Sequence, residues 1–333
     1  MLTTYIKNLG SLPKQLLHIK RNLQVQKTFM KHTIIPEAEK AIMNADASLS
    51  DADFNKIKRY YSLAVPAILG EGFCLLRNKR LTERERKALT YLGGLTGLFD
   101  DFFDKKEISD SHIQKLIINH NEKDAEDAHE RLFVRFYNTA LENIDHPDLF
   151  MKYVNKVFEL QVLSRRQKLS DITEQEIANI TYAKGGYSLL FYRGALENVP
   201  SQTEEKALYT LGSLLQLEND LFDVYKDWRD DIKTLVTTET DIRNLRVRYF
   251  SQMESMTGLI RQMPLPEKKI NIFLRFISLV VFRGIVCLDQ LESKQKSTNN
   301  IFSLSQYKRK DLICDMEKEN NILRVLHYCA KGW

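Results

Sequence analysis

Apolar residues recur at three- and four-residue intervals through most of this 333-residue chain. The residues that interrupt regular structure are scarce, with only 13 Gly and 7 Pro. A three-four repeat draws one apolar stripe along a helix, whereas a half-buried strand needs strict alternation. Alternating runs bounded by turn dipeptides are hard to find, so the expected fold class is all-α. Helices are expected over Asp53–Arg77, Thr82 to about Phe103, Ala125–Asn143, Pro147–Leu169 and Glu174–Glu197, then Glu204–Trp228, Thr240–Gln262, Glu267–Glu292 and Ser305–Cys329. Pro66 should kink the first of them. Thr82 with Glu85 three residues on has the form of a capping box.

A 43% hydrophobic chain of this length can bury a large core. No Gly/Pro/Ser-rich linker, repeat or low-complexity tract appears, so one large helical domain over 1–333 is expected, with 1–52 as an N-terminal helical extension. The net charge of +5 is spread among mixed-sign faces, unlike the concentrated basic face of a nucleic-acid binder. The N-terminus is the exception: Lys7, Lys14, Lys20, Arg21, Lys27 and Lys31 precede the first acidic residue, Glu37. A basic helix packed on the domain is the favoured reading, and a membrane-surface or targeting segment is the alternative. Cys74, Cys287, Cys314 and Cys329 show no CxxC spacing, and no signal-peptide pattern is present. Reduced thiols in a cytoplasmic protein follow, with peripheral attachment to a membrane surface left open. Ile270–Leu288 is the most apolar stretch, but Arg275 and Arg283 interrupt it, so a core helix is expected and not a membrane span. Nothing in the composition opposes a homodimer.

Two acidic clusters carry the chemistry. Phe99-Asp100-Asp101-Phe102-Phe103-Asp104 is a DDxxD arrangement ending a helix. Asp100 and Asp104 share a face one turn apart, and like charges there repel, so folding gains nothing from them. The phenylalanines beside them suggest partial burial, and carboxylates grouped against an apolar wall need a cation. Oxygen ligands without His or Cys suit magnesium. In the second cluster, Asn219, Asp223 and Asp227 stack at i, i+4 and i+8, with Lys226 adjacent. Either cluster alone could be a solvated acidic helix end. Two of them, about 120 residues apart in an all-α chain, point to a site.

The region from Asp53 to Asp227 resembles the class I terpenoid synthase superfamily, which holds terpene cyclases and trans-prenyl diphosphate synthases. Leu211 to Val224 is similar to the prenyl synthase segment GxxFQxxDDxxD, which includes Gln216. Asn219 to Asp227 resembles the cyclase motif NDxxSxxKE, with Asp223 in place of Ser and Asp227 in place of Glu. Tyr182-Ala183-Lys184-Gly185-Gly186-Tyr187 looks like the helix that carries a diphosphate-binding Lys, and Gln167 sits where the family has a Gln near its cavity. The resemblance implies a helical bundle around a central cavity and three magnesium ions, held by Asp100, Asp101 and Asp104 on one side and Asn219, Asp223 and Asp227 on the other. Lys184 and Lys226 would contact the diphosphate. Arg165, Arg166 and Arg193 are candidates for the cyclase sensor Arg. Phe73, Phe99, Tyr187, Phe191 and Phe222 are candidates to line a dry cavity that shelters a carbocation, or are ordinary core aromatics.

Departures from the family pattern favour ionisation over chain elongation. No GGKR-type segment is present, Gly93 stands at the expected His, and Lys105, Lys106 and Glu107 stand where paired Arg would follow. The expected activity is a magnesium-dependent lyase converting a linear C15–C25 prenyl diphosphate to a cyclic or linear terpene. A trans-prenyltransferase and a non-catalytic helical lipid-binding scaffold are the alternatives. Gly93, Thr96 and Gly97 lie beneath Asp100 on its own face; as a cavity floor they predict a C20 or longer substrate, and as packing residues they predict nothing about it. A carboxylate-bridged di-iron bundle would need two Glu-x-x-His motifs, and only Glu126/His129 is present.

Overall fold

The computed structural model describes residues 2–44, 46–104 and 108–333, with side chains from Tyr5 onward. Lys105, Lys106 and Glu107 therefore lie outside the described residues. Every regular element among those described is helical. The chain forms two compact units, residues 1–15, 159–190 and 200–333 in the first and 16–158 and 191–199 in the second. Each unit draws on separated stretches of chain. That is why no linker marks a boundary in the sequence.

In the second unit the Glu83–Asp104 helix packs against the Ala128–Leu141 helix and the helical segment 51–77. Asp127 caps Ala128–Leu141 by accepting from the Glu130 N–H at 2.9 Å. Its buried aromatics interlock with those of Glu83–Asp104: Phe102 and Phe133 meet edge to face at 5.0 Å, and Phe99 stacks on Phe133 at 6.0 Å. Segment 51–77 is helical throughout, but Ile57–Tyr61 and Val65–Gly70 are π-helical turns. Pro66 stands at the start of the second turn, so the expected kink is realised as a local change of winding. Gly93 has a packing role. A Cβ there would lie 2.6 Å from the Tyr61 carbonyl oxygen, so the missing side chain lets two helices close backbone to backbone.

The expected capping box forms, with Thr82 N donating to Glu85 Oε2 at 3.0 Å and Glu85 N to Thr82 Oγ1 at 3.2 Å. Glu85 is fully buried and ion-paired to the equally buried Arg77. Residues 16–31 of the Leu2–Lys31 helix are bound into this unit by fully buried Gln26, which donates to Ser62 O at 2.9 Å and to Thr90 Oγ1 at 2.8 Å.

In the first unit the Gln202–Arg229 helix packs against Ile242–Arg261 and Glu267–Lys296. It also meets Glu174–Gly194 at a paired glycine crossing. A Cβ on Gly185 or on Gly212 would overlap the other's carbonyl oxygen. Glu267–Lys296 is long and apolar enough to cross a membrane, yet two-thirds of its most apolar window, 67%, is buried in the fold. The expected helix Ser305–Cys329 is instead broken into Leu304–Gln306, Arg309–Leu312 and Glu319–Lys331. Asp311 turns back to accept from the Lys308 N–H and from Lys294, and Asn321 donates to Asp315 O, so side chains compete with the helical ladder there. All four cysteines are free and buried.

Candidate functional site

The glycine crossing sets the geometry of the second acidic cluster. With no side chain between the backbones, the face of Glu174–Gly194 that carries Thr181 and Lys184 lies against the face of Gln202–Arg229 that carries Gln216 and Asp220. Asp220 accepts from Thr181 Oγ1 at 3.2 Å and from Gln216 Nε2 at 2.9 Å. Asn219 donates to Asp223 at 3.3 Å, one turn along. Asp220 and Asp227 are buried, Asp223 is half-buried, and Asn219 and Lys226 are exposed. The structure thus brings together Lys184, Gln216, Asn219, Asp223 and Asp227. It adds Asp220, which the i, i+4, i+8 reading leaves out although 220, 223 and 227 also share a helical face.

The electrostatics of this face are unbalanced. Burial pushes the Asp227 carboxyl up to about 7, and repulsion from Asp220 and Asp223 adds to the rise against the pull of Lys226 and Lys184. Burial likewise raises Asp220 to about 6, against its hydrogen bonds and the charge of Lys184. Among the described residues none of the three carboxylates forms an ion pair. A buried carboxylate group lacking a cation is a site with charge to spare.

One position back, Glu218 points to the other side of the helix. Fully buried, it lies 2.8 Å from an Arg283 guanidinium nitrogen, and burial holds its carboxyl at about 7 despite that partner. Arg283 also sits 5.8 Å from the Phe222 ring centroid. Gln167 is buried and closes the turn after the helix, donating to Lys233 O at 3.0 Å while its own carbonyl accepts from Lys233 N at 2.8 Å.

The first cluster belongs to the second unit. Asp100 is half-buried, Asp101 buried and Asp104 exposed. Asp101 is held by Lys56 Nζ at 2.9 and 3.1 Å and is engaged in an ion pair. Beneath Asp100, Thr96 hydrogen-bonds the buried Tyr192 hydroxyl at 2.6 Å. Burial raises Tyr192, and the negative charge of Asp100 contributes to the rise. Gly93 touches the Tyr61 backbone, and Gly97 faces the Lys56 side chain, where a Cβ would make ordinary contact at 3.4 Å. That face packs on segment 51–77, so the floor reading of Gly93 gives way to close helix packing.

Arg193 is buried and donates to Asn198 O at 2.6 Å, securing the chain as it leaves its helix. Arg166 pairs with Glu176 at 3.0 Å. Of the candidate cavity aromatics, Phe73 and Phe99 are core residues, Phe191 packs on Phe150 at 5.1 Å, and Tyr187 meets Tyr209 edge to face at 5.4 Å. Glu126 and His129 do not converge, since Glu126 is exposed while His129 is buried against Phe102 at 5.2 Å.

Comparisons with protein-family models, with curated proteins and with solved structures return no match for this chain. The functional reading therefore rests on the residues themselves.

Proposed function

We propose that the chain is a magnesium-dependent enzyme of the class I terpenoid synthase type, built as a helical bundle around an active-site cavity. It ionises a linear prenyl diphosphate and releases diphosphate with a cyclic or linear terpene. The observation that carries this reading is the uncompensated carboxylate face of Asp220, Asp223 and Asp227, with Lys184 brought alongside by the Gly185–Gly212 crossing. An all-oxygen donor set of Asp and Asn, with no His or Cys, suits a hard divalent cation that also takes phosphate oxygens. Asn219, Asp223 and Asp227 would hold magnesium in one unit, and Asp100 and Asp104 in the other. Bound there, the metal supplies Lewis-acid stabilisation of the charge that develops on the departing diphosphate.

The chain's own groups do the rest. Lys184 presents an ammonium donor to the diphosphate oxygens. Asp220 is kept in place by Thr181 and Gln216, and orients Gln216 in turn. The enzyme is expected to be cytoplasmic, with the basic N-terminal helix available to a membrane surface. Incubating purified protein with C10, C15, C20 and C25 allylic diphosphates, with and without magnesium, tests the proposal. Magnesium-dependent release of inorganic diphosphate together with a hydrocarbon or alcohol is expected. Product that forms only with added isopentenyl diphosphate, and is itself a longer diphosphate, assigns a prenyltransferase instead. No release from any of the four overturns the proposal.

A further inference from the structure

A different donor set stands at the start of two helices in the second unit. His112 lies in the first turn of Asp110–Asn119, Glu130 in the first turn of Ala128–Leu141, and Glu126 in the connection just before it. One ligand atom from each, a ring nitrogen and two carboxylate oxygens, lies within 4.8 Å of the other two. His112 Nε2 is 2.9 Å from Glu130 Oε2, and the Glu126 N–H donates to that same oxygen at 2.8 Å. Glu130 is buried, His112 half-buried and Glu126 exposed, so the cluster has a closed floor and one side open to water.

Spacing and charge both suit a metal ion. Two ligands each about 2.1 Å from one ion, at the angles of tetrahedral or octahedral coordination, stand roughly 3.0–3.4 Å apart. His112 and Glu130 are already held near that separation. A neutral imidazole with two carboxylates carries two negative charges, which one divalent cation balances. Among the described residues, Lys115 pairs with Asp124 at 2.7 Å, Arg135 with Glu122 at 2.8 Å and Arg131 with Asp46 at 3.3 Å, none of them with the cluster. The buried Glu130 carboxylate meets the His112 ring and the Glu126 N–H, and a bound cation would offset its desolvation further. The imidazole decides the class of ion, because magnesium and calcium prefer oxygen donors whereas zinc, manganese and cobalt accept nitrogen.

We propose that His112, Glu126 and Glu130 bind a divalent transition-metal ion of the zinc or manganese class, with water completing its coordination on the Glu126 side. The site is separate from the carboxylates assigned to magnesium and does not depend on that assignment. Bound metal would pin the first turns of the two helices to the connection between them.

Metal-stripped full-length protein is titrated with Zn2+ by calorimetry and with Co2+ by visible absorption, in magnesium-free buffer. The wild type should bind one equivalent that is retained in Asp223→Asn/Asp227→Asn and lost, or weakened at least tenfold, in both His112→Ala and Glu126→Gln. These two positions reach solvent, so folding is preserved where a Glu130 variant would put it at risk. Zn2+ should also raise the melting temperature of the wild type and leave His112→Ala unmoved. Equal stoichiometry and affinity in wild type and His112→Ala would mean that the cluster is a simple His–Glu ion pair, and would overturn the proposal.

Discussion

Glu85 in one unit and Asp227 in the other are both carboxylates withdrawn from water, yet the two surroundings act on them in opposite directions. Burial pushes Glu85 upward, but the Arg77 guanidinium and the backbone N–H groups of Thr82 and Glu197 outweigh it and hold the carboxyl below its usual range. Asp227 meets burial too, but Asp220 and Asp223 push the same way, Lys226 and Lys184 do not offset them, and its carboxyl rises to about 7. One charge is satisfied by the fold. The other forms no ion pair among the described residues. Burial acts on both, so what stands opposite each carboxylate separates the two cases better than burial does.

Asn219→Ala and Asp223→Ala should each lower magnesium-dependent diphosphate release by roughly a hundredfold or more while leaving the helical circular dichroism unchanged. Near-wild-type turnover in either purified variant would remove the magnesium assignment. The satisfied side should show the reverse pattern. Glu85→Gln leaves the Arg77 charge buried without its counter-ion and should cost about 3–5 kcal/mol in denaturant unfolding. Because the folded value of Glu85 is depressed, its contribution is present above the ordinary Glu range and is lost as pH falls through the folded value.

A third substitution acts on the positioning alone. Gly212→Ala forces the two crossing helices apart and should lower stability by about 1–3 kcal/mol. Activity should fall further than the folded fraction does, since Lys184 and Thr181 move away from Asp220. Activity that merely tracks the folded fraction would show that the crossing does not set the site.

The smallest effect is the most diagnostic. The folded value of Asp227 is raised, so its ionisation opposes folding, and stability falls as pH rises from the ordinary Asp range to about 7. Asp227→Asn should therefore stabilise the metal-free protein by about 1–2 kcal/mol at pH 8 and by nothing near pH 4. Magnesium should raise the melting temperature of the wild type and not of this variant. An equal gain at both pH values would mean that ionisation of the buried carboxyl is not its source.

Much of this was legible in residue spacing. The all-helical class, the Thr82/Glu85 capping box and the DDxxD helix end followed from local pattern. Asp220 did not stand out, because Asn219, Asp223 and Asp227 fit one helical row; Gln216 is its neighbour one turn back on the same helix, but Thr181 comes from another helix through a glycine contact that no spacing rule shows. The helix Asp110–Asn119 was also missed. Its signal is the cap at Ser109, which accepts from the His112 N–H, with Ile113, Leu116 and Ile117 on the buried face. Without that helix, His112 could not be placed beside Glu130. Gly93 has an ambiguous residue type, and only its neighbour, the Tyr61 carbonyl, decides what it is for.

The two π-helical turns in segment 51–77 bear on how this chain tolerates changes of length. A π turn closes its hydrogen bond over one residue more than an α turn, so each holds a residue that a plain α-helix would not need. Removing one residue from Ile57–Tyr61 or Val65–Gly70 can be absorbed by reverting that turn to α-helix. The same deletion in Glu83–Asp104 would swing every later side chain, Asp100 and Asp104 included, by about 100° around the helix axis. Natural length variation should therefore collect in the first segment and be excluded from the second, giving the fold slack on one side of a close helix contact and none on the other.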